Sequence, residues 1–337
     1  MPMDRLQRPL RDVRISLTDH CNFRCPYCMP AAVFGDSYRF LPTETLLTFE
    51  EITRLSRLFI ALGAQKLRLT GGEPLMRPKV EALIRDLAAL EGVQDLALTT
   101  NGYLLPTKAE ALKAAGLHRL TISLDSMDDG VFQAMNGGRS SLGRVLEGIA
   151  AAERAGFAPL KINAVIQKGV NDHTLRDLAQ FCKGRGYILR LIEYMDVGNH
   201  NGWSLDQVVT AEEMLSLIGG DMGLEPLPAN YSGEVALRFG YRDGAGEIGI
   251  VASVTKPFCR VCTRLRLSAD GSLYTCLFAT KGIDLRTPLR AGAADEELSA
   301  MISGAWLRRT DRYSEIRAEV NENSPRPQKV EMHKVGG

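Results

Sequence analysis

The stretch RISLTDHCNFRCPYCMP (Arg14–Pro30) decides the reading of this chain. It follows Asp12 and Val13, and its opening VRISL (Val13–Leu17) reads as a strand. Three cysteines, Cys21, Cys25 and Cys28, then fall at CxxxCxxC spacing in the loop that leaves it. Three thiolates on one loop can hold three corners of an iron–sulfur cubane. Four cysteines are the usual complement, so three leave one iron open to another ligand. Zinc is the competing reading, since Cys-rich sites suit both metals, but structural zinc normally takes a fourth protein ligand. Position adds weight: in barrels of parallel strands the active site lies at the C-terminal ends of the strands.

Outward from this loop, strand-like and helix-like segments alternate. KLRLT (Lys66–Thr70), DLALT (Asp95–Thr99), RLTISLD (Arg119–Asp125), LKINAVI (Leu160–Ile166) and ILRLIEYM (Ile188–Met195) join VRISL as a set of six strands. Between them, Phe49–Gly63 reads as a helix, with Thr48 and Glu51 forming a capping box, and Ser141–Gly156 repeats apolar residues at helical spacing. Such alternation implies parallel strands with right-handed crossovers. Six units are too few for a closed barrel, so the expected fold is α/β, a partial (β/α)6 TIM-like barrel. The pattern changes after Asp196: a polar connector, a short helix near Glu212–Ile218, then strands Val235–Phe239 and Ile248–Ser253 joined through Arg242–Gly246. The expected division is residues 1–205 for the barrel, 206–320 for a C-terminal region closing it, and 321–337 for a polar tail.

That later region holds a second cysteine group, Cys259, Cys262 and Cys276. A zinc ribbon would need a second CxxC knuckle, and one further Cys is all that follows. Cys182, alone in a helical stretch, reads as core. Gly244, Gly246 and Gly249 spell GxGxxG, but a dinucleotide site needs a strand before and a helix after, and these glycines run from a hairpin into a strand.

The 337 residues carry 45% hydrophobic and 24% charged side chains with a formal net charge of +1. A nucleic-acid-binding module stabilised by zinc would show a basic stripe and pI above about 9, whereas this chain has a pI near 7.6. No signal peptide or membrane-length apolar run stands out, so the expectation is a cytoplasmic protein without a membrane or nucleic-acid partner. Basic residues are concentrated locally instead. On a strand, residues two apart share a face. Lys66 and Arg68 therefore project together, as do Arg264 and Arg266, with Leu265 opposite; Lys161 shares a face with Asn163, and Arg14 precedes the cysteine loop. Inward-facing cations are costly unless an anion meets them, so these residues point to a polyphosphate. GxxxxGK[ST] is absent, so any nucleotide is not held by a P-loop.

Arg14–Pro30, together with GGEP (Gly71–Pro74) after the second strand, resembles the signature of the radical S-adenosylmethionine superfamily. TKPFCRVCTRLRLSADGSLYTCLF (Thr255–Phe278), EYMDVGN (Glu193–Asn199) and the terminal Gly336–Gly337 narrow the resemblance to its GTP 3′,8-cyclase family, over nearly the whole chain. The resemblance implies two [4Fe-4S] clusters, one on Cys21, Cys25 and Cys28 and an auxiliary one on Cys259, Cys262 and Cys276. It implies S-adenosylmethionine held by Tyr27, Gly72, Glu73, Ser123 and Met195. GTP contacts are implied at Arg14, Lys66, Arg68, Thr99, Lys161, Arg190, Arg264, Leu265 and Arg266, with Arg264, Arg266, Gly336 and Gly337 also catalytic. It further implies hydrogen abstraction at the ribose C3′ and bond formation to guanine C8, giving 3′,8-cyclo-7,8-dihydro-GTP for molybdenum cofactor biosynthesis. The vacant iron of the auxiliary cluster would meet the guanine edge, and the glycine tail would close the site. A flavodoxin or ferredoxin as electron donor, a downstream cyclic pyranopterin monophosphate synthase and a homodimer are the partners expected. The alternative within the superfamily is a peptide-modifying enzyme with an auxiliary cluster, which usually uses more cysteines than remain here.

Overall fold

Strand β1 (Asp12–Ser16) lies inside one twelve-stranded sheet. The structure is a computed structural model describing residues 1–231, 233–322 and 328–337. β2 (Lys66–Thr70), β3 (Asp95–Thr100), β4 (Arg119–Ser123), β5 (Lys161–Ile166) and β6 (Ile188–Glu193) follow β1 in spatial and sequence order, all parallel. These are the six expected strands, with ends shifted by a residue or two. Their outward residues, among them Val13, Leu67, Leu98, Leu120, Ile162 and Leu189, are fully buried against the crossover helices.

Helices α1 (Phe49–Ala61), α2 (Val80–Ala88), α3 (Leu105–Ala114), α4 (Asp129–Asn136), α5 (Leu142–Arg154) and α6 (Leu175–Arg185) supply the outer layer. The capping box at α1 forms as read: Thr48 Oγ1 accepts from Glu51 N at 3.2 Å, and Glu51 Oε2 accepts from Thr48 N at 2.8 Å. Cys182 is a core residue.

The later chain does more than cap the barrel. After α7 (Ala211–Ile218) come β7 (Leu224–Leu227), β8 (Leu237–Tyr241), β9 (Glu247–Val251), β10 (Arg264–Leu267), β11 (Ser272–Tyr274) and β12 (Ile283–Asp284). β9 adds in parallel to β6, and β10 adds in parallel to the other edge, beside β1. The parallel core therefore has eight strands where sequence periodicity showed six. It remains open, because antiparallel β8–β7 and β11–β12 continue outward from its two edges. Gly244 (φ +75°) and Gly246 (φ +125°) form the turn of the β8–β9 hairpin, and no helix follows. The expected division after residue 205 falls in the connector between β6 and α7.

Four helices, α8 (Arg286–Arg290), α9 (Asp295–Leu307), α10 (Tyr313–Glu322) and α11 (Met332–Val335), complete the described chain. The tail expected over 321–337 begins inside α10, residues 323–327 lie outside the described residues, and α11 brings the terminus back against β1. No helix among the described residues is long and apolar enough to cross a membrane.

Candidate active site

The inner face of the sheet is polar where a barrel interior is ordinarily apolar. Register makes it so. Arg14 stands beside Arg266 on one side and Arg68 on the other, so β10, β1 and β2 carry three arginines in a row. One layer below, Asp12 stands between Arg264 and Lys66. Arg68 Nη1 donates to Thr99 Oγ1 (2.9 Å) and Thr121 Oγ1 (3.1 Å). Among the described residues, the Nε atoms of Arg14, Arg68 and Arg190 are buried without a partner, as is Asn163 Oδ1. Burial, then the charges of Arg266 and Arg264, hold Arg14 well below the usual arginine range. Burial and the neighbouring cations likewise bring Lys161 down to about 7 and Lys66 to about 8.

Two of these cations do meet carboxylates: Lys66 lies 3.4 Å from Asp95, and Arg190 lies 3.9 Å from Glu234. One expected substrate residue presents no side chain to the cavity. Leu265 is fully buried in the core, because strand alternation turns its side chain away from Arg264 and Arg266.

The first cysteine loop rests on the GGEP segment. Gly72 N donates to Thr18 O and Glu73 N to His20 O, both at 2.7 Å. A Cβ on Gly72 would lie 2.2 Å from His20 O, so only glycine allows this approach. The Glu73 carboxylate accepts from Thr100 Oγ1 and Asn101 N at 2.8 Å, and from Leu75 N at 3.0 Å. Burial still pushes it up to about 7. Glu73 thus braces the loop after β3, whose Asn101 amide approaches Cys21 Sγ at 3.9 Å. Phe23 N points at the same sulfur from 3.4 Å. Tyr27 donates to Asp125 Oδ2 at 3.0 Å, and Ser123, Met195 and Gly72 line the cavity beside it.

The second triad surrounds the start of β10. Arg264 Nε and Arg309 Nη2 approach Cys262 Sγ at 3.4 and 3.3 Å, and Arg309 Nη1 also bonds Cys262 O at 2.7 Å. Burial opposes the Cys262 thiolate, yet Arg264 and Arg309 outweigh it and bring the thiol down to about 6. From the N-terminal segment, Arg8 Nη1 bonds Cys259 O at 2.6 Å.

All six cysteines line one cavity together with Arg14, Arg68, Arg264 and Arg266. None of the chain's seven cysteines is in a disulfide. Among the described residues, no three His, Cys, Asp or Glu converge as ligands of a single ion would. A cubane instead spreads its thiolates over separate irons. Three thiols per site, with N–H groups aimed at Cys21 and Cys262, fit two such clusters, each with one iron open to a ligand.

The tail reaches the same place. Arg266 Nη1 donates to the carbonyls of Val335 and Gly336, and Gly337 lines the cavity. Gly336 has φ +70°, and a Cβ there would overlap Thr70 Cγ2 at 2.0 Å. Arg266 therefore spends one of its two terminal nitrogens on the tail.

Sequence reasoning missed Asn101, Asp125 and Arg309 as site residues. Asn101 lies two residues beyond Thr99, and Asp125 two beyond Ser123, so extending the strand alternation past its ends would have found both. Nothing in the sequence marks Arg309, which follows α9.

Residues 15–182 match the Radical SAM superfamily model, and residues 187–315 match that of Molybdenum Cofactor Synthesis C. A solved structure titled native anSMEcpe with bound AdoMet and Cp18Cys peptide superposes with a TM-score of 0.56, covering 96% of this chain and 94% of that one. At 12% identity it shows the fold alone. Fold, paired triads and family models define the class, the radical S-adenosylmethionine enzymes. A GTP 3′,8-cyclase of Acidothermus cellulolyticus is 51% identical, covering 99% of this chain and 98% of the relative. One of Xanthomonas campestris pv. campestris is 50% identical, covering 99% and 97%. The chain belongs to the GTP 3′,8-cyclase family.

Replacing Cys25 or Cys276 singly by serine should each remove about half the bound iron and sulfide, measured on anaerobically purified protein. Loss of nearly all iron from either variant would mean that the triads form one site and not two.

Proposed function

We propose that this chain converts GTP into 3′,8-cyclo-7,8-dihydro-GTP, the first step of molybdenum cofactor biosynthesis. The observation that carries this reading is one cavity lined by two open-ended cysteine triads and a buried row of arginines. Residues 1–205 would hold the first cluster and S-adenosylmethionine, and residues 206–320 the auxiliary cluster. When bound, S-adenosylmethionine on the reduced first cluster supplies a 5′-deoxyadenosyl radical.

The chain's own residues bind and orient. Tyr27, Gly72, Ser123 and Met195 form the wall beside the first triad, with Asp125 behind Tyr27. Arg14, Arg68 and Arg266 present guanidinium groups to the triphosphate, for which bidentate pairing suits them. Thr99 orients Arg68. Arg264 lies beside Cys262, placing the nucleotide between the two triads. Gly336 and Gly337 fill the space beside Arg266 and help exclude water. Lys161 and Lys66 enter β5 and β2 as first residues and lend charge from the base of the site. The reading extends to a flavodoxin or ferredoxin donor, delivery of product to cyclic pyranopterin monophosphate synthase and a homodimeric assembly, which rest on family resemblance, and to a cytoplasmic setting, which rests on the sequence.

Anaerobic incubation with dithionite, S-adenosylmethionine and GTP tests the activity. Release of 5′-deoxyadenosine together with GTP consumption is expected. Deoxyadenosine with intact GTP would retain the radical chemistry and overturn the substrate.

A second prediction concerns pH. Lys161, held near 7, carries its proton below that pH and loses it above. A polyanion favours the ammonium form, so GTP binding should take up protons above pH about 7 and weaken as pH rises. Calorimetry in buffers of different ionisation enthalpy reads this uptake, which should shrink in Lys161→Met. Undiminished uptake in that variant would remove Lys161 from the site.

A further inference from the structure

The segment that carries the terminal glycines is fastened one helical turn before them. After β6, Met195 faces the cavity and the next residue, Asp196, turns away from it into the protein, only 4% exposed. Its carboxylate gathers groups from two later parts of the chain. Arg317 Nε of α10 donates at 2.8 Å, and the Tyr313 hydroxyl of the same helix donates as well. Lys329 Nζ donates at 2.8 Å to the carboxylate and at 2.7 Å to the carbonyl of Asp196 itself. The Lys329 ammonium sits 4.6 Å from the centre of the Tyr313 ring, which stacks on Phe278 two residues beyond Cys276.

The residues after Asp196 continue the grip. Asn199 exchanges two hydrogen bonds with the backbone of Lys329, accepting from its N at 2.9 Å and donating to its O at 2.7 Å. It also donates to Glu331 Oε1 at 2.6 Å. Gly198 turns with φ +62°, a left-handed backbone that favours glycine, and packs against the Glu331 carboxylate. Beyond these contacts the chain has one turn of helix before Gly336 meets Thr70 and Arg266.

We propose that Asp196 is a positioning residue: its buried carboxylate latches Lys329, and thereby seats Gly336 and Gly337 in the cavity. The physical reason is charge. Arg317 and Lys329 are both buried cations, and the Asp196 carboxylate lies 2.8 Å from each. Neutralising it takes a charged partner from both cations at hydrogen-bond distance, and breaking a buried pair is strongly unfavourable. Arg317 is held additionally by Ser253 O at 2.9 Å on a helix. Lys329 lies on the terminal segment and is the group that leaves. The loop that presents Met195 to S-adenosylmethionine is therefore also the loop that holds the tail, so the two ends of the site are seated together. The functional part of this proposal rests on the reading of the terminal glycines as active-site residues.

The test uses the reconstituted holoenzyme with both clusters. In Asp196→Asn, and in Lys329→Met, which leaves the Asp196–Arg317 pair intact, amide exchange over residues 329–337 should quicken on the order of tenfold. Exchange in α10 should stay unchanged in Lys329→Met. Asp196→Glu should recover most of the protection. In a background lacking Gly336 and Gly337, Asp196→Asn should cause no further loss of turnover, because its effect runs through the tail; a purely structural residue would add its own loss. Unchanged tail exchange in both variants, or additive losses of turnover, would overturn the proposal. Faster exchange with undiminished turnover would uphold the latch and overturn the reading of the glycines instead.

Discussion

The structure depends on a cost that the protein alone does not meet: three arginines, Arg266, Arg14 and Arg68, side by side on the inner face of adjacent parallel strands. Burying cations without counter-charges is expensive, and no carboxylate within salt-bridge distance answers these three among the described residues. Thr99 and Thr121 satisfy part of Arg68, and tail carbonyls satisfy part of Arg266. Arg14 keeps a buried Nε with no hydrogen-bond partner among the described residues. On these three strands the other face, Val13, Ile15, Leu67, Leu69, Leu265 and Leu267, is apolar and buried, which holds the arginines' strands in place. The apolar packing of the fold and the cationic row thus lie on two faces of the same strands.

The site is assembled from segments remote in sequence, and this explains the shape of the C-terminal region. β9 and β10 extend opposite edges of the parallel core, so the second half of the chain embraces the first. Arg8 near the N-terminus and Arg309 after α9 both grip the CxxC turn, and Asp4 pairs with Arg8 at 2.6 Å and with Arg309 at 3.4 Å. A cluster bound there is held by both ends of the polypeptide. The terminal glycines belong to the same scheme, since Gly336 packs on Thr70 at the end of β2.

Much of this was legible because its signals are local. Period-two alternation marks β1 to β6, a capping box marks the start of α1, and the two cysteine spacings mark the triads. The same alternation that placed Arg264 and Arg266 together sends the Leu265 side chain into the core, and its inclusion among the substrate residues followed family resemblance and not the strand. What stayed hidden depends on pairing at long range. Nothing in RLRL (Arg264–Leu267) announces that it will lie beside β1, and nothing in the sequence around Asp196 or Arg309 announces partners more than 40 residues away. Lys66 looked equivalent to Arg68 on its strand, yet Asp95 of the neighbouring strand partly answers its charge.

The most direct test of the cationic row compares the affinity of the holoenzyme for GTP and for guanosine, which share base and ribose and differ only in phosphate. Charge-assisted hydrogen bonds contribute about 1.5–3 kcal/mol each. If the arginines grip the triphosphate, guanosine should bind at least about a hundredfold more weakly, and added salt should weaken GTP binding while sparing guanosine. Equal affinities for the two would contradict the central claim and leave the buried arginines without their counter-charge.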